Sequence, residues 1–196
     1  TTTGAMTAVE TYNLKPDMSV LASDIPATKA LLVTALATGG SLAGKMYKAS
    51  ATYFQQMTIN GEKQDQPDYS INFNVDGSIS GGSVFTFDPN SGAMQKVMTL
   101  SLKVDQTIAA GTVLTKQNLL DAAAGTAAVG SAAAKLYKSA ETFFQQLTVD
   151  GKKQDYPNYS INYDATGKVA TVSLYTINTT TGAMTAVETY NLKPDM

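Results

Sequence analysis

TTTGAMTAVETYNLKPDM occupies residues 1–18, and the same eighteen letters return at residues 179–196. A third, diverged copy of the strand-like part lies between them, since GAMTAVETYNLK at Gly4 recurs as GAMQKVMTLSLK at Gly92 and again in its first form at Gly182. The steps are 92 − 4 = 88 and 182 − 92 = 90 residues, and they sum to the 178 residues that separate the identical copies. Internal repetition at fixed spacing governs how the rest of a sequence is read. Between the copies, Lys45–Gly77 aligns with Lys135–Gly167 at a shift of 90, with 18 of 33 positions identical. The chain therefore reads as modules of about 90 residues in an alternating pattern, its ends expected to be cuts in a longer array. An engineered duplication of one terminal strand writes the same text.

Each module carries the same local signals. Tyr69-Ser-Ile-Asn-Phe-Asn-Val75 and Tyr159-Ser-Ile-Asn-Tyr163 alternate apolar and polar residues, the period of a half-buried strand. Segments 83–88 and 172–178 follow, then turn residues at 88–92 and 178–182, then the GAM strand, which together predict a β-meander. On that strand Met94, Met98, Leu100 and Leu102 share a face, with Met6, Tyr12 and Leu14, then Met184, Tyr190 and Leu192, at matching places. Upstream, Ala27–Leu36 before Gly39-Gly40 and Thr115–Ala124 before Gly125 predict one short helix per module, with threonine as cap and glycine as stop. Residues 45–59 and 135–149 fit either period. A strand is expected for their second halves, ending in the turn pairs Asn60-Gly61 and Asp150-Gly151.

The expected fold class is α+β and β-rich: two tandem homologous modules, each a small antiparallel sheet with one short helix. The adopted division is a strand at 1–18 belonging to a preceding or neighbouring module, module A at 19–106 and module B at 107–196. A module beginning at the GAM strand instead runs 4–91 and 92–181. Either division leaves one strand without its module. An apolar strand alone in water is a template for edge pairing, so Met6, Tyr12, Leu14, Met184, Tyr190 and Leu192 are the candidate intermodule or strand-exchange contacts.

Composition narrows the chemistry. In a chain of 196 residues, 43% hydrophobic content and a net charge of −2 describe a chain able to bury a core. Basic and acidic residues are interspersed, so no single-sign face for nucleic acid is expected. No run of apolar residues is long enough for a membrane span. Cysteine, histidine and tryptophan are all missing, which removes thiolate and imidazole chemistry. No catalytic site, cofactor or metal is expected. The groups around Asp76, Asp88 and Asp164 offer carboxylates of the kind calcium takes, but Asp76 and Asp88 become Thr166 and Asn178 in the sister module, which suits turns better. Glu62 with Asp65, and Asp150 with Asp155, are spaced like an acid–base pair yet lie in polar, lysine-bearing segments read as solvated loops. Most tyrosines are expected in the core. Tyr156 and Tyr159 are the candidates for ligand binding, Tyr156 because its counterpart is Gln66.

A serial array of modules rich in Thr, Ala, Gly, Ser and Asn resembles the repetitive stalks of microbial cell-surface adhesins and extracellular filament proteins, and the variable outer domains of flagellins. That resemblance implies an extracellular or cell-surface structural role, with neighbouring copies of the repeat as partners. Modules that touch only their neighbours give length in proportion to copy number. The alternative is an adhesive module that recognises a glycan or protein through its Tyr-bearing loops.

Overall fold

The computed structural model describes residues 5–192. They form one antiparallel sheet of nine strands in strict sequence order: β1 (Ala8–Leu14), β2 (Met46–Ile59), β3 (Glu62–Phe73), β4 (Ile79–Phe87), β5 (Met94–Leu102), β6 (Leu136–Val149), β7 (Lys152–Tyr163), β8 (Val169–Ile177) and β9 (Met184–Asn191). Two short helices, α1 (Lys29–Leu36) and α2 (Lys116–Ala124), lie in the connections from β1 to β2 and from β5 to β6. The fold is therefore β-rich, as expected.

Local chemistry accounts for the elements. Asn60 and Gly61 take φ of 52° and 82°, and Asp150 and Gly151 take 50° and 73°. Two successive left-handed residues make the tight hairpin turn whose twist matches its strands. Both helices begin at a threonine cap, since Thr28 accepts from the Leu31 amide and Thr115 from the Asn118 amide. Gly125, at φ 72°, stops α2.

Two expectations need correction. Residues 46–59 and 136–149 are strand throughout, not in their second halves alone. The helical period that residues 135–149 also fit arises because the strand carries apolar residues on both faces and a bulge at Ser139, where Thr99 pairs with Ala140 and Leu100 with Lys138. The segments with Glu62, Asp65 and Asp155 also belong to strands β3 and β7, not to loops. Pro67 and Pro157 stand inside those strands at the register shifts, where the ladder is already interrupted.

The two faces of the sheet differ. One row on the first face runs Tyr53, Tyr69, Val84, Met98, Glu141, Ile161, Val172 and Tyr190 across β2 to β9. Over its middle lies the connection carrying α2. Leu119 is fully buried there, its methyl groups against Gly82, with Ile71, Ile79, Leu100, Ile108, Leu114 and Leu136 completing the core. Lys116 binds Asp68 at 2.5 Å and ties α2 to β3. On the opposite face one row reads Thr52, Ser70, Ser83, Thr99, Ala140, Asn162, Thr171 and Asn191. Neighbours there bond one another, as Ser101 to Ser139 (2.9 Å), Asn162 to Thr171 (2.8 Å) and Ser173 to Thr189 (3.0 Å). Hydroxyl and amide pairs across strands allow one face of a sheet to remain without a second layer.

The helices are alike in sequence position and unlike in anchoring. Leu119 sits over β4, whereas at α1 no strand among the described residues pairs with the outer edge of β1, and Leu31 and Val33 are 60% and 58% exposed. A cleft of about 480 Å³ remains between α1 and β1, lined by Ala8, Glu10, Tyr12, Lys29, Leu32 and Leu36.

Candidate functional site

The three copies of the GAM strand occupy three settings. β1 pairs with β2 on one side, β9 with β8 on one side, and β5 with both β4 and β6. Registers agree between copies. Gly81 to Ser101 and Phe87 to Met94 across β4–β5 become Thr171 to Asn191 and Ile177 to Met184 across β8–β9. Lys96 to Phe143 and Leu102 to Leu136 across β5–β6 become Ala8 to Tyr53 and Leu14 to Met46 across β1–β2. Register shifts fall at matching places, Thr99/Leu100 and Thr11/Tyr12.

The ends of the strand are held alike. The Met94 amide donates to Asp155 Oδ2 and the Met6 amide to Asp65 Oδ2, each at 2.9 Å. At the far end the Lys103 amide reaches the Lys135 carbonyl and the Lys15 amide the Lys45 carbonyl, again at 2.9 Å. The carboxylates spaced like an acid–base pair thus divide, with Asp65 and Asp155 fixing strand ends and Glu62 exposed on a hairpin.

Side-chain chemistry at the two seams is different. At β5–β6, Glu141 is 9% exposed and bound by Lys96 and Lys138, each at 3.0 Å, and by the Tyr163 hydroxyl at 2.7 Å. Burial pushes its carboxyl upward, but the three donors outweigh that and hold it at about 2. At β1–β2 the acid belongs to the other strand. Glu10 binds Lys48 at 2.6 Å and accepts from the Tyr12 hydroxyl at 2.9 Å, and the Lys48 contact holds its carboxyl below the ordinary value. Burial and the Glu10 bond push the Tyr12 phenol up to about 12. β9 repeats the second pattern, with the Tyr190 hydroxyl donating to Glu188 at 2.8 Å.

The candidate strand-exchange residues divide between the two edges of the sheet, so the structure brings them into two groups and no single patch. Met6 and Leu14 are exposed at the β1 end, with Tyr12 half-buried; Met184, Tyr190 and Leu192 are exposed at the β9 end. Tyr159 stacks on Phe143 with ring centroids 4.5 Å apart, and the Tyr156 hydroxyl closes over Gly182 in the β8–β9 turn. Both are half-buried in strand β7.

Asp76, Asp88 and Asp164 serve turns. Asp88 Oδ1 accepts from the amides of Asn90 and Ser91, Asp76 Oδ1 from the amide of Ser78, and Asp164 Oδ1 from those of Thr166 and Lys168. Among the described residues no group of three or more acidic side chains converges. No helix among them is long and apolar enough to cross a membrane.

The seam pairs were missed in the sequence, although a signal was present. Ala8 against Lys96 and Ala51 against Glu141 are positions where the diverged copies exchange charge for alanine on both partner strands. No family model matches the chain, and neither the curated proteins nor the solved structures contain a significant match to it.

Proposed function

We propose that this chain is a structural, non-enzymatic repeat segment that builds length at the microbial cell surface or in an extracellular filament, each repeat extending one sheet. The modules A and B at 19–106 and 107–196 are read here as half-periods that share β5. Beads closed on separate cores would not share a strand. The observation that carries this reading is β5 itself, paired on both sides in registers that β1 and β9 each repeat on one side. Strands about 4.8 Å apart give about 19 Å of axial length per four-stranded half-period, or about 38 Å for the eight strands of 178 residues. The row from Thr52 to Asn191 on the extended face consists mostly of hydroxyl and amide side chains compatible with water.

The alternative of a glycan- or protein-binding module rests on Tyr156 and Tyr159, and it has less support, because one ring is stacked on Phe143 and the other is folded over Gly182.

The test is a chain extended after residue 196 by a second copy of residues 19–196. Small-angle X-ray scattering is expected to give a maximum dimension longer by about 38 Å with an unchanged cross-section. No lengthening, or a jointed two-body profile, would count against the proposal.

A further inference from the structure

We propose that the open edge of β9 is an interaction surface for a second copy of this chain, which it engages by taking the place of β1 on that copy's β2, and that the charge pattern of the seam selects the β2 edge over the β6 edge. This rests on the serial reading above and adds the partner, the register and the selecting residues.

The partner follows from identity. Residues 179–196 and 1–18 have one sequence, so every contact that β1 makes with β2 is available to β9 of another copy. In that register Glu188 stands opposite Ala51 with its carboxylate at Lys48, and Tyr190 stands opposite Lys48, as Glu10 and Tyr12 do. The Met184 amide meets Asp65, as the Met6 amide does.

Selection follows from where the acid sits. Placed on a β6 edge, the β9 sequence would put Glu188 where Met98 stands, directly opposite Glu141. Like charges directly opposite one another destabilise a strand pair. Placed on a β2 edge, the β5 sequence would bring Lys96 toward Lys48 and find Ala51 where Glu141 should be. Each seam therefore accepts its own strand and repels the other, which keeps the alternation of half-periods in step.

The helix layer fits the same join. The first face of β8 and β9 carries Val172, half-exposed Leu174 and Tyr190 with no helix of the described residues above them, while α1 has Leu32 where α2 has Leu119. With β9 of one copy on β2 of the next, α1 of that next copy lies over this face as α2 lies over β4, and Val172 in the place of Gly82 holds it further off the sheet.

The experiment uses the 196-residue chain. Glu10→Lys weakens the hold of β1 on its own β2 and leaves β9 unaltered. Head-to-tail oligomers, followed by sedimentation velocity, are expected at about tenfold lower protein concentration than for the unaltered chain. Adding Glu188→Lys to Glu10→Lys is expected to return that threshold to the unaltered level. On the Glu10→Lys chain, a labelled peptide with the sequence of residues 182–195 should bind and cap oligomers, and one with the sequence of residues 92–105 should bind at least tenfold more weakly. An unshifted threshold, oligomers indifferent to Glu188→Lys, or equal binding of the two peptides would overturn the seam rule. The scattering length of the extended chain reads the serial proposal separately.

Discussion

Leu119→Ala is expected to lower the stability of the chain by about 3–4 kcal/mol, while Leu32→Ala, at the matching place on the sister helix, costs below about 1 kcal/mol. The two leucines share sequence context, each four residues after a threonine cap. They differ in what lies beneath them. Leu119 is 0% exposed, wedged against Gly82 in a core fed by β3, β4, β5 and the Ile108 segment, whose carbonyl accepts the Ile79 amide at 3.0 Å. Truncating it opens a cavity that strands paired on both sides cannot close. Leu32 borders an existing cleft, so its loss removes little packing and creates no new void. Denaturant midpoints of the two variants, measured with the unaltered chain, decide the matter. Equal losses would mean that α1 is packed as tightly as α2, contrary to the cleft beneath Leu32.

Glu141→Gln is the second large effect, at about 2–3 kcal/mol near neutral pH, because it leaves Lys96 and Lys138 facing each other over a neutral group. The loss is smaller than that of breaking a fully buried pair because both lysines retain access to water. Its pH dependence has a definite sign. The folded carboxyl titrates at about 2 against an ordinary 4.5, so ionised Glu141 stabilises the native state fully above pH 4.5. That contribution is lost as pH falls from about 4.5 toward 2. Unfolding free energies of Glu141→Gln and the unaltered chain, measured against pH, should therefore differ most at neutral pH and converge near pH 2. A difference that stays constant with pH would show that the cost lies in packing and not in the charge cluster.

Much of this architecture was legible from residues. Tyr69-Ser-Ile-Asn-Phe and its partner at Tyr159 have period two, and the structure places Tyr69 and Ile71 toward the helix layer with Ser70 on the open face, as alternation requires. Asn60-Gly61 and Asp150-Gly151 fixed their hairpins by backbone chemistry alone. What was not legible was the role of the middle copy. Met98 and Leu100 replace the Glu and Tyr of the outer copies, and that exchange reads as divergence until both sides of β5 are seen to be occupied and its first face covered by α2. The long strands at 46–59 and 136–149 were obscured for a related reason. Bulges at Ala49 and Ser139, the extra residues opposite Thr11/Tyr12 and Thr99/Leu100, break the alternation that sequence reading depends on.

The seam chemistry lay further out of reach, because it joins residues far apart in the chain. Lys96 and Glu141 become neighbours only when β5 is laid on β6 in a particular register, and a shift of one residue would turn either side chain to the open face.

Backbone amide hydrogen exchange across the three copies of the strand, resolved by NMR, tests the undivided sheet most directly. In β5 every amide of the central residues Val97, Met98 and Thr99 should be protected, because successive amides point to opposite neighbours and both neighbours are present. In β9, over Val187, Glu188 and Thr189, protection should alternate, with the amides that point away from β8 exchanging rapidly in the monomer. Alternating protection in β5 as well would mean that β4 and β6 are not joined through it, and the continuous sheet would have to be given up.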